Sequence, residues 1–380
     1  MAKILVFTSF GGGGHISASN ALIEYLKDEH EVYAIPLFRS ILASVDPLRK
    51  ITFNKLDCED FYNFLLRKKC TRLLNLYCLL ALWNMAIIKR LIAPLIQNYL
   101  EQEKPDLIIS VIPISNGVIN TIAQSLNIPF LVIPTDLDSS TFIHNMHSQP
   151  NDNLFVGLAF NDPALWRIAD RSTVYKHQMG VIGFPVRKSF FEPKDIPALK
   201  KEFNIALDKP VIFMLMGAVG SEVIYGYVKE LYKITTPFHF IICLGRNNEL
   251  HAKILSIPLP SNITITIMKF TDRISDLMAI SDICISKAGS VSVCEALYMN
   301  KPMLLDCTNK SLLWEDFNIH FIASHGFGEP IKRLRNLNAI VASYLNNPAR
   351  IKAISQKMSQ FKKEPFCDTL KIVVKKLLKS

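Results

Sequence analysis

The run Gly11-Gly12-Gly13-Gly14-His15 is the first place in this chain where residue types and spacing suggest chemistry. It follows an apolar, β-branched stretch and precedes a helical pattern. Glycines permit positive φ and close approach of backbone to a ligand, and the helix start behind them offers free N–H groups. No Gly-Lys-Ser/Thr follows, and the spacing is not GxGxxG. No acidic residue stands where a ribose ligand would be expected after the second strand, so a nicotinamide enzyme is disfavoured. His15 closes the loop. A histidine of near-neutral pKa on such a turn is a good general base, against the plainer reading of a helix N-cap without chemistry.

Three further loops follow strands. In Ser286-Lys287-Ala288-Gly289-Ser290, Gly289 allows a tight turn and the first N–H groups of the next helix can hold a phosphate. Glu295, further along that helix among apolar neighbours, is a carboxylate suited to two vicinal hydroxyls of a ribose. In Gly217-Ala218-Val219-Gly220-Ser221, the serine can cap a helix and donate to a phosphate. In Pro134-Thr135-Asp136-Leu137-Asp138, Asp136 is a second candidate base or a ligand for a sugar hydroxyl. His144 and His147 follow without further ligands, which is poor support for zinc, and no metal is expected.

These loops need strands to carry them. Short apolar runs at Lys3–Thr8, Glu31–Pro36, Leu107–Val111, Phe130–Pro134, Leu154–Ala159 and Val181–Gly183 form one series. Val211–Met216, His239–Cys243, Ile263–Ile267, Ile283–Ser286 and Met303–Leu305 form another, with helical patterns between. Near-continuous apolar strands alternating with helices mean α/β structure with parallel sheets covered on both faces. A polar Pro- and Lys-rich stretch after Gly183-Phe184-Pro185-Val186-Arg187 marks the break. The expected division is 1–190, 191–355, and a C-terminal helical segment, 356–380, packing back towards the first domain.

The chain has 380 residues and a net charge of +10, with 49% hydrophobic residues. Its mean hydropathy is +0.22. Disorder, fibres and solenoids are excluded by this composition and by the lack of a repeat. A basic, apolar chain points to a membrane surface or an anionic ligand, with no nucleic acid expected. Eight cysteines without a CxxC pair read as reduced thiols. The start of the chain does not read as a signal peptide. The stretch Leu73–Ile88 is too short to span a bilayer. With Arg67, Lys68, Lys69 and Arg72 before it and Lys89 and Arg90 after it, it is either an interfacial helix on an anionic membrane or a buried helix with snorkelling stems.

Taken in order, the motifs resemble glycosyltransferase family 28 of the GT-B fold, and within it the monogalactosyldiacylglycerol synthases and processive diacylglycerol glucosyltransferases. Gly12-Gly13-Gly14-His15 followed by Ser17 and Ala18, Thr135-Asp136-Leu137, Gly183-Phe184-Pro185-Val186-Arg187 and Cys243-Leu244-Gly245-Arg246-Asn247 are similar to family motifs. The most specific block runs from Phe270-Thr271 through Leu277-Met278 and Ser286-Lys287-Ala288-Gly289 to Glu295-Ala296-Leu297. The resemblance implies two Rossmann-like, doubly wound domains facing across a cleft. It implies inverting transfer of a hexose from a UDP-sugar to a lipid, most simply diacylglycerol, with no cofactor required. It places Glu295 on the ribose, Gly289 and Ser290 at the diphosphate, Arg187 and Ser221 on phosphate, and the Phe270 backbone on uracil. His15 is placed at the acceptor, and Gly13, Gly14, Gly217 and Arg246 belong to the same ligand loops. Glu315 and Asn318 fit a Gln-Glu-x-x-Asn motif whose Gln is Trp314 here, which bears on the sugar. Ser290 and Val291 also replace the residues usual after the key glycine.

A lipid acceptor favours the interfacial reading of 73–88, with Arg67, Lys68 and Lys69 on anionic headgroups, and a peripheral place at the inner face of the cell membrane. The alternatives are an N-acetylglucosaminyl transferase acting on a polyprenyl-linked peptidoglycan intermediate, a non-catalytic GT-B protein that binds nucleotide or membrane, and a sugar 2-epimerase.

Overall fold

Strands that are apolar along their whole length need cover on both faces, and this requirement organises the molecule. The structure, a computed structural model, describes residues 1–379 apart from Lys69, Asn84, Ser148, Asn151, Asp152, 218–222 and Arg246; the side chains of 81–87 and Asn248 also fall outside it. The chain divides into two compact units, Met1–Lys188 with the residues from Lys362 onward, and Ser189–Phe361.

The first unit is built on β1 Lys3–Thr8, β2 Glu31–Pro36, β3 Leu107–Ser110, β4 Phe130–Val132, β5 Leu154–Leu158 and β6 Met179–Val181. They form one parallel sheet in the order β2-β1-β3-β4-β5-β6. Alternate residues of β1 serve opposite faces, as the period of two requires. Ile4 and Val6 pack with Ala18, Ala21, Leu22 and Tyr25 of the helix Gly14–Leu26. Leu5 and Phe7 pack with Ile92, Ile96 and Leu100 of the helix Met85–Glu103. The C-terminal helix Phe366–Leu377 buries Phe366, Leu370, Val374 and Leu377 in the same core as Ile4 and Val6, and its Thr369 hydroxyl donates to the Ile182 carbonyl at 2.5 Å.

The second unit carries β7 Val211–Leu215, β8 Phe238–Cys243, β9 Ile263–Met268, β10 Ile283–Lys287, β11 Met303–Asp306 and β12 Gly328–Ile331. These are parallel in the order β12-β11-β10-β7-β8-β9. The α/β, doubly wound expectation therefore holds for both halves. β12 was not expected, because Gly-Glu-Pro-Ile reads as a turn; an edge strand tolerates the proline. β6 begins two residues earlier than the pattern suggested, and Gly183 instead turns the chain at φ +85.

The expected segment 73–88 lies within the helices Thr71–Trp83 and Met85–Glu103, with Asn84 between them outside the described residues. In the first of these Leu74 and Asn75 are buried, while Leu73, Leu76, Leu79 and Leu80 are each about half exposed. Positions 73, 76 and 80 are one stripe at helical spacing. No helix among the described residues is long and apolar enough to cross a membrane. Lys69 lies outside the described residues. All eight cysteines are free, but only Cys243, Cys284 and Cys294 are fully buried.

Candidate active site

In an open parallel sheet, ligands bind beyond the carboxyl ends of the strands where the strand order reverses. In the first unit that point lies between β1 and β3, and the loops there are Ser9–Gly13 and Val111–Ser115. His15 joins them. Its Nδ1 lies 2.7 Å from the Val111 carbonyl and 3.0 Å from the Thr135 hydroxyl, which follows β4. A carbonyl oxygen only accepts, so Nδ1 carries the proton and Nε2 keeps its lone pair. The Thr8 hydroxyl holds the His15 carbonyl at 3.2 Å. Burial pushes the His15 pKa down to about 4, against a smaller upward pull from its bond to Val111. This corrects the near-neutral value expected from the sequence: His15 is largely buried, in a poorly solvated place.

The loop that carries the Val111 carbonyl is tied down by Asn116. Asn116 accepts from the Ser110 hydroxyl at 2.6 Å and donates to Ile112 at 2.8 Å and to Phe142 at 3.0 Å. Within this loop Ile114 has φ +71, a conformation that costs a β-branched residue dearly. Asp136 follows Thr135 directly and is half-buried. Gly13 is the N-cap of the helix Gly14–Leu26, and Gly14 is its first residue.

In the second unit the order reverses between β10 and β7. Lys287, at the end of β10, packs into this point. A Cβ placed on Gly217 would lie 3.5 Å from Lys287 Cε, and one on Gly289 would lie 3.1 Å from it. Gly217 has φ +87, so the turn after β7 favours glycine by its backbone conformation. The Lys287 ammonium meets Glu315 at 3.1 Å. Asn318, fully buried, donates to the Ala288 carbonyl at 2.7 Å and the Ser290 hydroxyl at 2.8 Å. Gly217, Lys287, Gly289, Ser290, Glu315 and Asn318 therefore form one cluster. Glu295 lies on the helix Ser290–Tyr298 and is 3% exposed, not a solvated helix glutamate.

Phe270 exposes its ring just past β9. Arg187 is half-buried at the end of the first unit, one residue past Val186, whose carbonyl accepts from Tyr25. Ser221 and Arg246 lie outside the described residues. Trp314 is half-buried, beside Glu315 on the helix Leu313–Ser324. Among the described residues no group of three His, Cys, Asp or Glu side chains is placed to hold a metal. Sequence reasoning missed the roles of Thr135, Lys287 and, described below, Glu59 and Asn63. Lys287 lay within a recognised motif; Glu59 and Asn63 carried no signal.

Residues 211–312 match the glycosyltransferase family 28 C-terminal domain. The second unit carries a glycosyltransferase family 28 domain. This domain contains β7 through β11 and with them Gly217, Lys287, Gly289, Ser290 and Glu295. The whole chain is similar to relatives of known name. It is 23% identical over 370 residues to a processive diacylglycerol beta-glucosyltransferase of Staphylococcus haemolyticus, covering 95% of this chain and 89% of the relative. It is 24% identical over 369 residues to monogalactosyldiacylglycerol synthase 1, chloroplastic, of Arabidopsis thaliana, covering 90% and 64%. Among solved structures, Acinetobacter baumannii MurG aligns with a TM-score of 0.63 at 14% identity, covering 98% and 99%. The fold around the family 28 domain is that of the GT-B glycosyltransferases.

Proposed function

We propose that this chain is an inverting glycosyltransferase that moves a hexose from a UDP-sugar to a membrane lipid, diacylglycerol being the acceptor that the relatives' names suggest. The observation that carries the reading is His15. Its Nδ1–H is committed to Val111, so Nε2 is a proton acceptor throughout the neutral range. The acceptor hydroxyl oxygen bonds to the anomeric carbon, its proton passes to Nε2, and the bond from that carbon to the diphosphate breaks with inversion. Asp136 is the second candidate for the proton.

The family 28 domain supplies the donor site in this reading. The N–H groups at Gly289 and Ser290 and the Lys287 ammonium stabilise the departing diphosphate. Glu295 takes the ribose and the Phe270 backbone the uracil; Arg187, Gly217, Ser221 and Arg246 serve the phosphates. Glu315 and Asn318 shape the sugar end, where Trp314 offers an aromatic face. No step calls for a metal.

The lipid is met by the first unit. Ile51, Phe53, Leu56, Phe61, Phe64, Leu73, Leu76, Leu79 and Leu80 are all exposed within a stretch that also carries Arg49, Lys50, Arg67, Lys68 and Arg72. An apolar face rimmed by cations suits a peripheral enzyme on an anionic leaflet. The test is UDP release from UDP-glucose, UDP-galactose and UDP-N-acetylglucosamine with diacylglycerol vesicles. Vesicle-dependent release supports the reading. Nucleotide binding without turnover rejects catalysis, and turnover only with a polyprenyl-linked acceptor reassigns the lipid.

A further inference from the structure

Four consecutive glycines make residues 11–14 poorly self-determined, because glycine loses more freedom on ordering than any other residue. The helix Cys58–Arg67 supplies what they lack. Glu59, 6% exposed, accepts from the Ser9 hydroxyl at 2.5 Å and the Phe10 N–H at 2.8 Å. Asn63, one turn on, accepts from the Gly12 N–H at 2.9 Å and donates to the Phe10 carbonyl at 2.9 Å. Tyr62 lies beside Gly11, where an added Cβ would come 3.6 Å from its ring.

Residues 59, 62 and 63 share one face at about 100° per residue, and residues 61 and 64 fall on the opposite one. Phe61 and Phe64 are exposed. The Phe61 ring meets Tyr77 edge-on at 5.9 Å, which joins this face to the leucine stripe of Thr71–Trp83. Arg39 braces the arrangement, pairing with Glu59 at 3.1 Å and Asp57 at 2.9 Å while lying over the Phe10 ring at 5.0 Å.

We propose that lipid covering the Phe61/Phe64 face orders the glycine loop and thereby sets His15, with Glu59 and Asn63 as positioning residues for the base. This rests on the reading that the face meets a bilayer, for which Lys50, Arg67, Lys68 and Arg72 in the same stretch of sequence argue by charge. The coupling is reciprocal: whatever orders the loop strengthens lipid binding by the same factor.

The experiment compares the wild-type chain with Asn63→Ala on vesicles of mixed phosphatidylcholine and phosphatidylglycerol. It reads co-sedimentation, amide exchange at residues 10–14 and turnover. Vesicles are expected to slow exchange there about tenfold in the wild type. Asn63→Ala is expected still to co-sediment, with lipid affinity lower by no more than about tenfold, to lose that slowing, and to lose about tenfold in kcat with the donor KM unchanged. Vesicle-bound wild type with unaltered exchange, or Asn63→Ala with the full response, overturns the coupling alone. Failure of the wild type to co-sediment at all overturns the membrane reading and the coupling with it.

Discussion

His15 Nδ1 and the Val111 carbonyl oxygen stand 2.7 Å apart, across the point where the first sheet reverses its strand order. The contact decides which ring nitrogen is protonated, and so which is free to take a proton. It also ties the loop after β1 to the loop after β3, so the ring is positioned by backbone that the sheet itself holds.

Replacing His15 by Ala is expected to lower kcat by about 10²–10⁴-fold while UDP binding is kept. The wild-type rate is expected to rise with pH through about 4 and then stay level, because only the neutral ring accepts a proton. A pH profile of kcat/KM with its acid limb near 6.5 would contradict the buried, Val111-bound ring.

Lys287→Ala is expected to raise the donor KM by about 10–100-fold, the scale of a charge-assisted hydrogen bond, whereas Lys287→Arg retains most of the affinity. Calorimetric titration with UDP measures it. Equal affinity in all three proteins would remove Lys287 from the donor site.

His239 in β8 is 2% exposed, with Nδ1 at 2.7 Å from the Thr264 hydroxyl and Nε2 at 2.9 Å from that of Thr266. Burial, helped by Lys209 and Lys200, pushes its pKa down to about 4. The unfolded ring takes its proton near 6.5, so between those values the unfolded chain binds more protons and stability rises with pH. The stability is complete above about 6.5, and roughly 3 kcal/mol of it is lost by about pH 4. Urea denaturation across that range checks this, and His239→Gln should flatten the slope. A slope identical in variant and wild type would refute it.

Reversing charge at Arg67, Lys68 and Lys69 to Glu is expected to weaken binding to anionic vesicles at least about 100-fold, at roughly 1 kcal/mol per cation. UDP affinity is expected to stay unchanged. Flotation with and without anionic lipid reads the result, and undiminished binding would place the membrane contact elsewhere.

Much of the fold was legible because it is locally written. The β-branched runs, the glycines after β1, β7 and β10, and the 3.6-residue stripe of Phe366–Leu377 each follow from sterics and periodicity within a few residues. The same local logic passed over Gly-Glu-Pro-Ile, because only pairing with β11 makes it a strand.

The sequence by itself determined two series of buried parallel strands and the loops that end them, and it named candidate residues in those loops. Tertiary structure alone decided that His15 meets Val111 and Thr135, that Glu59 and Asn63 hold the glycine loop, and that Lys287 meets Glu315. The reason is that a side chain's partner across a sheet depends on which strands become neighbours. Crossover connections set that order at separations no local pattern records.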